Sequence, residues 1–286
     1  MLEGVFPTTP LVPRLDQVQS GYEAVSCRDH PVEGSLVRLF TVPSSAPADK
    51  LLVAIPGLGA SGRSFALMSP LARRRRLWFW TPPLKTPAHH SPLWHNVSLL
   101  AHPEAGLPQR FVLLGSSFGS LVALAFALHH PHRVSALVLA SPVASTRRIR
   151  RFAMTAANLL RVPLPFAYLL APVVARILGG RHLPEEGRSE IVRESRRIAP
   201  LEMVRRLRDI LGTDLLPELE GLQVPTLIVH GRRDLVVPLG NARDVAARIP
   251  NARLEVIRGA AHLPYMSHPD RFNAVVTRFL REVAEV

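Results

Sequence analysis

Arg110-Phe111-Val112-Leu113-Leu114-Gly115-Ser116-Ser117-Phe118-Gly119-Ser120-Leu121-Val122-Ala123-Leu124 begins as an apolar run of strand length and breaks at two glycines. It then resumes as an Ala/Leu-rich run that suits a helix packed on a sheet. The break reads Gly115-x-Ser117-x-Gly119, so a serine stands at the tip of a sharp strand-to-helix turn. A residue held there in a strained conformation brings the backbone two positions to either side close to it, and only small residues fit. The hydroxyl then stands clear of the sheet above a helix N-terminus, where developing negative charge is favoured. Ser116 is out of register, because the glycines are centred on Ser117.

Outward from this turn, apolar strands alternate with helical segments. Tyr22 to Arg28 and Leu36 to Val42 read as an opening antiparallel hairpin across the turn-rich residues 29–34. Leu51-Leu52-Val53-Ala54-Ile55 has no polar alternation, as expected of a strand covered on both faces. It runs into the glycine-rich loop Pro56-Gly57-Leu58-Gly59, which can aim backbone N–H groups into a site. The Walker Gly-Lys-Ser/Thr ending is absent, and no acidic residue closes the next strand, which ends in Thr81-Pro82-Pro83; nucleotide binding is not expected. Phe65 to Leu71 suits a helix closed by Arg73-Arg74-Arg75-Arg76, whose cations complement the carbonyl end of the dipole. His89, His90, His95 and His102 lie among prolines without metal-ligand spacing, and a short helix is expected near Trp94 to Leu100. Val134 to Ala140 gives a further strand, and the sheet resumes at Pro225 to Gly231 and Arg253 to Ile257. The repeated alternation argues a mostly parallel, doubly wound sheet. Residues 143–216 break it with Leu-, Ala- and Arg-rich helical segments, including Phe152 to Leu160 and Phe166 to Leu178. Residues 1–20 read as an arm, 21–142 and 217–286 as one core.

Length and an apolar content of 47% leave ample material for a core. The single cysteine, Cys27, excludes an internal disulfide and reads as a buried small apolar residue in a strand. The opening Met1 to Pro7 shows neither a basic n-region nor an apolar h-region, and no run reaches membrane-spanning length, so a cytoplasmic location is expected. The net charge is +13. Its arginines are dispersed and no nucleic-acid motif accompanies them, so no nucleic-acid partner is expected. Peripheral contact of the Arg-rich insertion with an anionic membrane stays open.

An alcohol is a weak nucleophile until a base takes its proton, and that base needs a third group to orient it. Parallel strands bring such groups together at their C-terminal edge. Ser117, Asp234 (in His230-Gly231-Arg232-Arg233-Asp234-Leu235-Val236-Val237-Pro238) and His262 (in Gly259-Ala260-Ala261-His262) occupy such positions, in that order. With Pro56-Gly57-Leu58-Gly59 and the Gly115–Gly119 turn, these segments resemble the α/β-hydrolase superfamily, in its capped esterase, lipase and C–C hydrolase-like branch, over residues 20–284.

The resemblance implies an α/β-hydrolase fold with a helical cap after the sixth strand and no cofactor. It implies Ser117 as nucleophile, His262 as general base and then acid, Asp234 as its orienting carboxylate, and the N–H groups of Leu58 and Phe118 as oxyanion hole. Pro56 stands where the family has a histidine, and Thr81-Pro82-Pro83-Leu84-Lys85-Thr86-Pro87 replaces its usual loop, so an unusual pocket wall is expected. A serine at the turn disfavours the dehalogenase and epoxide hydrolase reactions of this fold. An apolar acyl or aryl ester is the expected substrate; amide, thioester or C–C hydrolysis and non-catalytic ligand binding are the alternatives. Iminopeptidases of the fold hold a substrate amine on cap carboxylates. Here Glu185, Glu186, Glu190 and Glu194 share a helix with Arg188, Arg193, Arg196 and Arg197, and a solvated, salt-bridged face is expected.

Overall fold

The computed structural model describes residues 21–147 and 171–283. The arm 1–20 and the apolar segments between 148 and 170 lie outside the described residues. Eight strands form one sheet: β1 (Ser26–Val32), β2 (Ser35–Thr41), β3 (Leu51–Ile55), β4 (Arg76–Thr81), β5 (Phe111–Ser116), β6 (Val134–Ala140), β7 (Thr226–Gly231) and β8 (Ala252–Ile257). Their spatial order is β1-β2-β4-β3-β5-β6-β7-β8. β1 and β2 are antiparallel, as are β2 and β4; every other neighbour is parallel. This is the expected mostly parallel, open sheet.

The opening hairpin differs from its expected register. Residues 21–23 form a helical turn, and β1 runs on through Asp29-His30-Pro31, with Glu33 and Gly34 alone making the turn at positive φ. Pro31 is tolerated because β1 is an edge strand, where a missing N–H costs no ladder bond. The same edge position leaves Cys27 exposed rather than buried.

Alternate residues of the central strands feed two apolar layers. Val53, Ile55, Leu113, Leu137, Leu139 and Ile228 meet α1 (Pro92–Ala101), α2 (Phe118–His129) and α6 (Leu239–Arg248). Leu52, Ala54, Val112, Leu114, Val138 and Val229 face the opposite layer. There a 3-10 segment (Gly62–Arg73), the short α7 (Pro264–Ser267) and α8 (Pro269–Glu282) cover the sheet. The elements following β3 and β5 thus leave on opposite faces, and the sheet has a topological switch between these strands, the place where open α/β sheets open a crevice. Gly119 fits there by necessity: a Cβ would lie 2.1 Å from the Ile55 carbonyl oxygen, and one on Gly115 would lie 2.2 Å from that of Gly119.

Between β6 and β7 the described insertion is helical: α3 (Ala171–Gly179), α4 (Glu185–Ser195) and α5 (Pro200–Gly212). None of the helices among the described residues is long and apolar enough to cross a membrane. α5 is fastened to the loop after β4 by a buried charge pair. Glu202 accepts from the Thr86 N–H (3.2 Å) and hydroxyl (2.8 Å) and from Arg206 Nε (3.0 Å). Arg206 also donates to the Pro83 carbonyl (2.5 Å), Arg205 to those of Thr86, Pro87 and His90, and the Leu93 N–H donates to Asp209 (2.8 Å). These bonds hold the proline-rich wall that the sequence marks as unusual. On α4 the expected solvated face is half wrong. Its arginines are exposed, but Glu190 and Glu194 are buried. Glu190 meets Arg193, the Ser61 hydroxyl (3.3 Å) and Arg63 (3.7 Å), and Glu194 meets Arg197 (3.3 Å).

Three stability measurements follow from this packing. Gly119→Ala should cost about 3 kcal/mol, read as a lower denaturation midpoint at unchanged slope, because backbone rather than a flexible side chain blocks the methyl group. Glu202→Leu, which strands the buried Arg206 charge, should cost about 3–5 kcal/mol, while Glu202→Leu with Arg206→Met should recover most of it. Burial, helped by His182, pushes His268 down to about 4 from 6.5. The unfolded chain therefore takes up this proton near pH 6.5 and the folded chain only near 4, so the stability is whole above 6.5 and lost as pH falls towards 4. Denaturant titrations should show that loss, with a shallower slope for His268→Gln.

Candidate active site

At the end of β5 Ser117 adopts φ 52° and ψ −116° as the N-cap of α2. Among the described residues only Glu33, Ser117 and Ser141 carry positive φ without being glycine. Such a conformation costs on the order of 1–3 kcal/mol and persists where the surroundings over-determine it. Here the Ser117 N–H donates to the Ala140 carbonyl (3.1 Å), and its own carbonyl accepts from the Ser120 N–H (2.9 Å) and hydroxyl (2.5 Å). The Ser120 oxygen in turn accepts from the Val143 N–H (2.9 Å), tying the turn to the chain after β6. Ser116, by contrast, is fully buried, with its hydroxyl beside that of Tyr265 in the opposite layer. The register read from the two glycines is the observed one.

The loop after β3 closes on this turn. A Cβ on Gly57 would lie 3.1 Å from that of Ser117 and 3.7 Å from its Oγ. Leu58 follows directly, half-buried, and Gly59 takes φ 71°. Phe118, buried, is the first residue of α2, where an N–H has no acceptor within the helix. From the insertion, the Met203 methyl stands 2.8 Å from where a Gly59 Cβ would be, an apolar cover over this loop.

Asp234 and His262 leave the ends of β7 and β8. Gly231 permits the approach, since a Cβ there would lie 2.0 Å from the Ala261 carbonyl oxygen. His262 Nδ1 is 2.8 Å from Asp234 Oδ2, and both side chains are buried. A carboxylate only accepts, so Nδ1 carries the proton and Nε2 is left as the acceptor. Asp234 Oδ1 accepts the N–H groups of Val236 and Val237, each at 2.8 Å. Burial alone would raise the Asp234 pKa, but the His262 charge and hydrogen bond, with His230 and the Val237 N–H, outweigh it and hold the carboxyl below its usual range. It is therefore an anion near neutral pH.

The structure brings Asp234 and His262 into contact and sets Ser117 at the same edge of the sheet, against the Gly57 loop. No hydrogen bond joins the Ser117 hydroxyl to His262 among the described residues. In unliganded enzymes such bonds are often long and tighten only around substrate. Three residues of this region escaped the sequence reading: Ser120, one position past the second glycine; Met203, which packs from 144 residues away in the chain relative to Gly59; and His230. Only His230 had a local signal, its place in the segment that carries Asp234.

Comparison with known proteins agrees with this architecture. The profile of the alpha/beta hydrolase fold matches residues 104–269. A pimeloyl-[acyl-carrier protein] methyl ester esterase of Aeromonas hydrophila is 30% identical over 247 residues, covering 80% of this chain and 94% of the relative. A 2-hydroxymuconate semialdehyde hydrolase of Pseudomonas putida is 32% identical over 180 residues, 59% of this chain and 62% of the relative. Among solved structures, an esterase from Exiguobacterium antarcticum superposes with a TM-score of 0.78 at 20% identity, covering 90% of this chain and all of that one (100%). The match to more than half of the chain, on a sheet of this order with a helical insertion between its sixth and seventh strands, makes the protein a hydrolase of the α/β hydrolase fold family.

Proposed function

We propose that the protein is a serine hydrolase of carboxylic esters that works through an acyl-enzyme. The observation that carries this reading is the strained Ser117 at the head of α2, on the same sheet edge as a buried Asp234–His262 pair whose tautomer leaves Nε2 free to accept a proton.

In the first step Ser117 Oγ bonds to the ester carbonyl carbon while His262 Nε2 takes the hydroxyl proton. The carbonyl π electrons move onto oxygen, and the N–H groups of Phe118 and Leu58 hold that oxyanion; two fixed donors in a water-poor site are worth orders of magnitude in rate. Collapse of the tetrahedral species breaks the bond to the alkoxy oxygen, which leaves with the proton from His262. Water then repeats the sequence on the acyl-enzyme, giving the acid and free Ser117. Asp234 stays ionised throughout, orienting His262 and stabilising its cation. The apolar cover supplied by Met203 favours a hydrocarbon acyl or aryl group, each buried CH₂ adding about 0.8 kcal/mol. The methyl ester esterase among the relatives supports an ester with a small alcohol as the substrate class.

Fluorophosphonate labelling together with turnover of p-nitrophenyl esters of increasing chain length tests the reading. The wild type should label and show a chain-length optimum. Ser117→Ala should lose labelling and roughly 10⁶-fold in kcat while keeping its fold, and Asp234→Asn should lose roughly 10⁴-fold. Labelling without ester turnover would move the substrate to a thioester, amide or C–C bond; a wild type that never labels would leave a ligand-binding protein.

A further inference from the structure

One buried imidazole has no part in that mechanism. His230, the penultimate residue of β7, is fully buried, and its Nε2 lies 3.0 Å from the Val237 carbonyl oxygen and 3.5 Å from Asp234 Oδ2. A carbonyl oxygen only accepts, so Nε2 carries the proton and the neutral ring keeps Nδ1 bare. Nδ1 is buried without a hydrogen-bond partner among the described residues, a cost that an apolar side chain at this position would avoid. Burial also lowers the pKa of this ring, which keeps it neutral beside the anion. The titratable groups that act on it are Asp234 and His262.

The Nε2–H bond closes a circuit. Val237 gives its N–H to Asp234 Oδ1 and receives His230 at its carbonyl, so the ring anchors the carbonyl of the residue whose N–H grips the carboxylate. The His230 Nε2–H also lies on the Oδ2 side, on the oxygen that holds His262. We propose that His230 is a positioning residue for the catalytic pair: through Val237 and Asp234 Oδ2 it holds the carboxylate in the one orientation that serves His262. The proposal rests on the roles assigned above to Ser117, His262 and Asp234.

His230→Gln and His230→Asn separate this role from simple filling of space. Both are polar and small enough for the site, but a glutamine amide nitrogen reaches where Nε2 stands, whereas that of asparagine falls near Nδ1. Ester turnover is measured from pH 5 to 9 for both, with Ser117→Ala alongside and thermal melting of each. His230→Gln should stay within about threefold of wild type, while His230→Asn should lose about 10- to 100-fold in kcat at unchanged KM, the loss expected of one buried hydrogen bond. Turnover by His230→Asn should stay below that of His230→Gln at every pH across this range. Equal losses in both variants that track their melting temperatures, or an asparagine variant with wild-type kcat, would overturn the proposal while leaving the triad standing. Undiminished turnover by Ser117→Ala would instead remove the reading beneath it, and this proposal with it.

Discussion

Where α2 crosses the ends of β3 and β5, its backbone rests directly on the carbonyls of Ile55 and Pro56, with no room for a single methyl group at Gly119. That contact sets the depth at which α2 enters the sheet, and with it the height at which Ser117 emerges. A shallower helix would relax the turn and lower the hydroxyl into the layer that Ser116 and Tyr265 occupy. The strain is sustained because α2 is almost wholly apolar and buried from Phe118 to Ala127. Burying a large aliphatic or aromatic side chain contributes about 1.5–3 kcal/mol, so two or three of its residues outweigh the cost of one unfavourable backbone conformation.

Around the acid the logic is electrostatic. Taking a carboxylate out of water is costly, and it survives as an anion only where donors replace the lost hydration. Asp234 has two peptide N–H groups on one oxygen and two imidazoles on the side of the other. The two rings differ: His262 meets the carboxylate through Nδ1, whereas His230 gives its Nε2 proton to the Val237 carbonyl and keeps Nδ1 buried without a hydrogen bond among the described residues.

The turn at Ser117 and the order Ser-Asp-His were legible because they rest on local, nearly obligatory chemistry: glycines where backbone touches backbone, polar residues at the ends of apolar runs. The strand bounds around β5, β6 and β7 were legible for the same reason. β1 was not. Asp29, His30 and Pro31 speak for a turn in isolation, and only the edge position of the strand, a property of the whole sheet, makes them acceptable. Nor could α4 be read correctly from its alternating charges. Glu190 is buried by Ser61 and Arg63, more than a hundred residues away, and Glu202 by Thr86, so the pairing that decides their environment has no local trace.

The insertion touches the candidate site at two places. At one end the Leu178 carbonyl accepts the Leu263 N–H (3.1 Å), next to His262, and Gly180 lies against Ala261. At the other, Met203 covers Gly59 in the loop after β3, and Glu202 grips Thr86. The run from α3 to α5 therefore bridges the loop of His262 and the loop of Gly57 to Gly59, touching both. A change in the length or tilt of α4, which touches neither reactive side chain, would be felt at both contacts. Insertions of different size on the same sheet would then alter the spacing of the two loops.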